Sequence, residues 1–331
     1  LNNLPLVEFY YRTTDSYASF LAGYVRDGML VALGVGAWIL FLVAGSEPVY
    51  REHYPGLISL RRYLSWPGLR TRSFFLANVV GITLTFLFFA YQTVFYLAAK
   101  KMGAWAPAEV KYSDLLNTQI PWVWVLFIGF LPAVSEEMQF RAFAIPFLKK
   151  ILRSGPVALV LAAFIWGFLH AAYPNQPFYI RGVEVGLGGI VVGLMMLRFG
   201  ILATLIWHYS VDAIYTAFLL VRSPNHYLMI SGVITAGIML IPFGISLVAY
   251  LRTGTFADES VLTNASVGIS RPPRKEAAVA METPLVYRAL DRRRLILAAV
   301  LAAVFIALAF VPVRRFGEGI ELRVTRPHAL R

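Results

Sequence analysis

Eight apolar runs divide the chain, at residues 29–44, 74–99, 121–148, 155–172, 183–197, 201–221, 228–251 and 295–313. Crossing the hydrocarbon of a bilayer takes about 20 helical residues, and most of these runs reach or approach that length. Lipid offers no partner for backbone N–H and C=O groups, so every spanning run has to be a helix. The expected fold class is all-α: a polytopic transmembrane helical bundle of about seven core spans, with one detached C-terminal span. Composition agrees, with 58% hydrophobic residues, 15% charged residues and a mean hydropathy of +0.65. These values lie on the membrane side of the usual range for soluble domains.

The charge pattern orients the spans. Arg51, Arg61, Arg62, Arg70, Arg72, Lys149, Lys150, Arg153 and Arg198 fall in one set of connections, against Lys100, Lys101, Lys111, Arg181 and Arg222 in the alternating set. Nine against five assigns the first set to the cytoplasm. The net charge of +12 comes mostly from clusters beside apolar runs, where membrane lipids are the natural partners, so no nucleic acid is expected. The chain has no cysteine, which removes disulfides, thiolate metal sites and a cysteine nucleophile together.

The expected organisation is a pre-membrane segment at 1–28, a multi-span domain at 29–252, a flexible basic linker at 253–294, a further transmembrane helix at 295–313 and a tail at 314–331 that could begin another domain. The linker assignment rests on its Ser, Thr, Pro and charge content without apolar periodicity. Between the first two spans, YPGLISLRRYLSWPGLRTR interleaves apolar residues with arginines. That pattern fits either a short amphipathic helix on the inner surface or a solvated basic loop.

Few ionisable residues lie within the spans: Glu136, Glu137 and Arg141 in SEEMQFRAF, His170 in FIWGFLHAAYP, and His208 with Asp212 in LIWHYSVDAI. Each charge near a bilayer centre costs about 2.5 to 3.5 kcal/mol on insertion scales, so such residues mark candidate sites. Glu137 and Arg141 stand at i and i+4, the better order for an intrahelical ion pair. Glu136 points about 100° away around an α-helix and is left for chemistry. A carboxylate and an imidazole can hold a water and take its proton, which points to hydrolysis. The same groups could instead ligate a divalent metal such as Zn²⁺, with Glu136, His170 and His208 as the candidate ligands, although HExxH is absent. Glu184, near Arg181 at a span start, is assigned no chemistry.

The order EEMQFR, then WGFLH, then one further span, then HYSVD resembles the motif order of the CAAX protease and bacteriocin-processing family (CPBP or ABI), over residues 122–220. The resemblance implies an intramembrane endopeptidase whose substrate is a membrane-associated protein or peptide. Carried onto this sequence, it makes Glu136 the water-activating carboxylate with His170, puts His208 and Asp212 on the oxyanion side, and has Glu137 and Arg141 brace the site. Two positions depart from the family pattern: Trp166 stands where Phe is usual, and Asp212 where Asn is frequent. An ionised Asp cannot donate to an oxyanion, so Asp212 is expected to orient His208. Prenylated proteins and maturing peptides both remain open as substrates. A non-catalytic scaffold or immunity-type protein, or a proton-coupled transporter, is the alternative. The expected location is the bacterial plasma membrane, with the site reached from the cytoplasmic side.

Overall fold

The computed structural model describes residues 2–107 and 111–266, together with Arg293, Ile296, Val300 and Ala303. The chain divides into two units, 1–271 and 272–331. In the second, the four described residues are helical; the rest of the expected helix at 295–313, the tail at 314–331 and most of the linker lie outside the described residues.

The first unit is built from helices α1 (Tyr17–His53), α2 (Arg72–Lys101), α3 (Pro121–Glu136), a π-helical segment (Glu137–Ala144), α4 (Ile145–Leu152), α5 (Gly155–Phe168), α6 (Ile180–Phe199), α7 (Ile201–Val221), α8 (His226–Ala236) and α9 (Leu240–Thr253). Among the described residues six spans are long and apolar enough to cross a membrane, α3 through α4 counting as one and α5 being extended by a 3₁₀ turn, Leu169–Ala172. The pair α8 and α9, bent by 57°, makes a seventh, broken span. Neither member of that pair reaches about 30 Å alone at 1.5 Å per residue. The all-α polytopic bundle with about seven core spans is therefore what the structure has.

Successive spans reverse direction, so the connections sort into two ends. One end gathers 54–71, 153–154, Gly200 and the residues after Thr253, and it carries the larger set of arginines and lysines. The other gathers 102–120, 173–179 and 222–225. Side-chain caps start several of the spans: Thr71 Oγ1 accepts from the Phe74 amide at 3.1 Å, and Asn225 Oδ1 accepts from the Tyr227 amide at 2.9 Å.

Two sequence expectations need correction at the basic end. The 54–72 stretch is neither one amphipathic helix nor a plain loop. It forms two single-turn helices, Leu60–Tyr63 and Trp66–Leu69, because Pro55, Gly56, Pro67 and Gly68 break the periodicity and Ser65 caps the second turn. The linker also starts later than Thr253. Residues 255–266 return to the bundle: Ala257 N donates to Arg70 O at 3.0 Å, Ser59 N to Leu262 O at 3.0 Å, and Asn264 N to Leu57 O at 2.8 Å. Leu262 is buried beside Tyr50, Ile58 and Tyr63. The Glu259 carboxylate accepts from both the amide and the hydroxyl of Ser73 at 2.6 Å, in the first turn of α2, where negative charge is favoured. Polar composition marks this stretch as a loop, but one buried leucine and a capping acid hold it in place.

α5 and α6 approach closely through glycine. A Cβ on Gly167 would lie 2.5 Å from the Gly182 carbonyl oxygen, and one on Gly186 would lie 2.6 Å from the Phe164 ring. Small residues at such a crossing let two membrane helices pack at backbone distance. At this crossing Trp166, the residue before Gly167, is buried in the core.

Candidate active site

The EExxxR motif sits where the α3 helix widens into the π-helical segment. Such insertions are uncommon and often fall at functional sites. Here the wider turn still leaves Arg141 Nη1 3.2 Å from Glu137 Oε1, with the two side chains 2% and 0% exposed. The expected ion pair is present, but Glu137 has a second task. His208 Nδ1 donates to the same Oε1 at 2.7 Å.

That hydrogen bond corrects the expectation for Asp212. Asp212 Oδ2 stands 3.5 Å from His208 Nε2, beyond a well-formed hydrogen bond, so Glu137 is the carboxylate that fixes the imidazole's orientation. The Nε2 edge of His208 faces Asp212 on one side and, at 3.8 Å, Glu136 Oε2 on the other. Both outer acids have side chains 27% exposed, whereas His208 is 6% exposed. The site thus has a closed floor, Arg141, Glu137 and His208, and an accessible rim, Glu136 and Asp212.

Trp166 connects the parts. Its indole Nε1 donates to Glu136 Oε2 at 2.5 Å, and its ring carries the Arg141 guanidinium 3.8 Å from the centroid. The ring centroid also lies 5.2 Å from that of His170 and 5.9 Å from that of His208. His170 Nδ1 donates to the Trp166 carbonyl at 3.0 Å, which fixes its tautomer and leaves Nε2 free. Glu136, Glu137, Arg141, Trp166, His170, His208 and Asp212 are therefore all gathered in one place. Among the described residues no group of three or more carboxylates and imidazoles is spaced to hold a metal ion, and the indole lies against both imidazoles and bonds the Glu136 carboxylate.

Two residues that the sequence reading missed stand over the rim. Tyr173 stacks on His170, with centroids 5.9 Å apart, and it carries Arg181 Cζ at 5.3 Å and Lys111 Nζ at 4.0 Å. Burial pushes the Tyr173 phenol above its ordinary range; Arg181 opposes this, while Asp212 and Glu136 add to it. Tyr112 is likewise raised, first by burial and then by Tyr173 and Asp212. Both phenols thus stay neutral O–H groups. They come from connections at the end away from the arginine-rich one. No sequence signal separates these loop tyrosines from ordinary interfacial ones.

Glu184 is a structural acid, in line with its sequence reading, although it is more deeply engaged than a helix-terminal charge. It is fully buried, pairs with Arg181, and accepts from Gln92 Nε2 at 3.0 Å. Tyr215 donates to the other end of the Gln92 amide, so α2, α6 and α7 share one polar network in the apolar interior.

Residues 118–214 match the sequence model of a family described as type II CAAX prenyl endopeptidase Rce1-like. Over 77 residues the chain is 22% identical to the sporulation-killing factor biosynthesis protein SkfC of Bacillus subtilis (strain 168); that stretch is 23% of this chain and 16% of the relative. No solved structure matches. The family match contains every residue of the cluster from Glu136 to Asp212, and so the chain is an integral membrane protein with a Rce1-like region at residues 118–214, of the kind its motif order resembles.

Proposed function

We propose that the protein is an intramembrane endopeptidase that hydrolyses a peptide bond with a water activated by Glu136. The observation that carries this reading is the division of labour between adjacent acids. Glu137 is fully buried and spent on Arg141 and His208, while Glu136 is partly exposed and has only the Trp166 N–H on one oxygen. A packing motif needs one acid for one arginine, so the second acid is left over for chemistry.

In the proposed reaction Glu136 takes a proton from a water held at the rim, and the water oxygen bonds to the scissile carbonyl carbon. The carbonyl oxygen becomes the oxyanion. His208, whose Nδ1–H is committed to Glu137, can donate to that oxyanion only as the imidazolium, through Nε2. Glu137, Asp212 and Glu136, at 2.7, 3.5 and 3.8 Å from the ring nitrogens, supply the countercharge for that form. In this reading the Nε2 of His170, whose Nδ1–H is bonded to the Trp166 carbonyl, passes the proton from Glu136 to the leaving nitrogen, after which the C–N bond breaks to give a carboxylate and an amine. No step uses a metal.

The substrate in this reading is a membrane-associated protein or peptide, because the rim lies among membrane spans. Access is from the end that carries the 102–120 and 173–179 connections, since Tyr173 from that end stacks on His170. This differs from access at the arginine-rich end, which the charge count assigns to the cytoplasm. Purified protein incubated with a quenched peptide library should cleave it, and a chelator should not stop the reaction. No cleavage of any member, or cleavage abolished by chelator and restored by Zn²⁺, would remove this mechanism.

A further inference from the structure

At the arginine-rich end, α9 and the Trp66–Leu69 turn line an open cavity of about 600 Å³ that shares no residue with the Glu136 cluster. Its floor is one face of α9, with Gly244, Ile245 and Val248. Its mouth holds two guanidinium groups, Arg70 and Arg252, and the 60% exposed indole of Trp66. No acid lines it, and among the described residues neither arginine is ion-paired; Arg70 lies only loosely over Trp66, at 6.0 Å. A Cβ on Gly244 would meet nothing within 4 Å, so the apolar floor has open space at that residue.

Apolar walls with positive charge at one end match an amphiphile that has an anionic head. The position agrees as well. α9 is only 14 residues long and ends at Arg252 and Thr253, so the cavity mouth falls at the edge of the hydrocarbon, where indoles and phosphates reside. The positive-inside count puts this end in the leaflet where anionic lipid concentrates. We infer that this cavity is a binding site for one anionic glycerophospholipid, with its phosphate between Arg70 and Arg252 and an acyl chain along Gly244, Ile245 and Val248. Arg252, the last cation of the bundle before the chain turns into 255–266, then serves lipid capture as well as orientation.

The test is native mass spectrometry of the full chain with phosphatidylglycerol and with phosphatidylcholine of the same acyl chains. Wild type should retain one phosphatidylglycerol in preference to phosphatidylcholine. Arg70→Gln combined with Arg252→Gln should weaken that retention about 30-fold, from roughly fivefold per arginine. Gly244→Leu, which keeps both arginines but fills the floor, should also abolish the preference. Arg70→Lys with Arg252→Lys should keep most of it, and circular dichroism of each variant should match wild type. Equal retention of both lipids by wild type would overturn the assignment, as would wild-type retention by the glutamine or leucine variants. Failure of the natively helical lysine variant would do the same. Displacement of the lipid by millimolar inorganic phosphate would reassign the site to a free anion.

Discussion

His208 Nδ1 donates to Glu137 Oε1 at 2.7 Å, and the same oxygen lies 3.2 Å from Arg141 Nη1, so one buried carboxylate ties an imidazole on α7 to a guanidinium in the π-helical segment. Glu137→Gln should therefore damage two things at once. It leaves Arg141 as a buried charge without its partner, which costs about 3 to 5 kcal/mol, and it releases the ring that faces the rim. Arg141→Gln should lower stability similarly but keep more activity, because His208 retains its acceptor. The double change should be milder than the sum, since the residues are coupled. Parallel melting and cleavage assays check this; equal activity of the two single variants would contradict it.

Trp166→Phe removes the donor to Glu136 while keeping an aromatic face for Arg141 and the imidazoles. A single hydrogen bond to a charged group contributes about 1.5 to 3 kcal/mol, and the accessible Glu136 can recover part of that from water. The expected outcome is a fall of about tenfold in kcat with a small change in melting temperature. A collapse of the fold, or an unchanged pH–rate profile with unchanged kcat, would show that the indole N–H does not act on Glu136.

Much of this site is legible in the sequence because membrane burial makes each polar residue conspicuous. Glu136, Glu137, Arg141, His170, His208 and Asp212 stand out against apolar runs. The Glu137–Arg141 pair follows from spacing alone. What spacing does not carry is the direction of a side chain once a π-helical segment widens the turn; for that reason Glu137, rather than Asp212, holds His208. Nor does it carry contacts between distant loops, such as Tyr173 on His170 or Leu262 under Tyr63.

The docked stretch 255–266 leads to a truncation prediction. Ending the chain after Ser266 should leave the melting temperature of the seven-span unit nearly unchanged. Ending it after Arg252 removes buried Leu262, worth about 1.5 to 3 kcal/mol, and the Glu259 cap on Ser73, worth about 1 kcal/mol. The shorter chain should melt several degrees lower and be clipped by protease between Tyr54 and Thr71. Identical melting of the two truncations would mean that these contacts contribute nothing.

Orientation can be read directly because the chain has no cysteine of its own. A single Cys at Arg61 should react with a membrane-impermeant maleimide only from the cytoplasmic side, and one at Asn225 only from the opposite side. A Cys at Tyr173 should label with Asn225 and be protected by substrate peptide. Labelling of Arg61 and Tyr173 from the same side would contradict the proposed route of access.

The central claim is that Glu136 activates the attacking water. The most direct measurement is the cleavage rate of Glu136→Gln beside wild type on the same quenched peptide in chelator, with melting followed in parallel. The substitution keeps size and one acceptor for Trp166 but removes the base, so the rate should fall on the order of 10² to 10⁴-fold while the melting temperature holds or rises. Cleavage by Glu136→Gln at the wild-type rate in a folded protein would contradict the account.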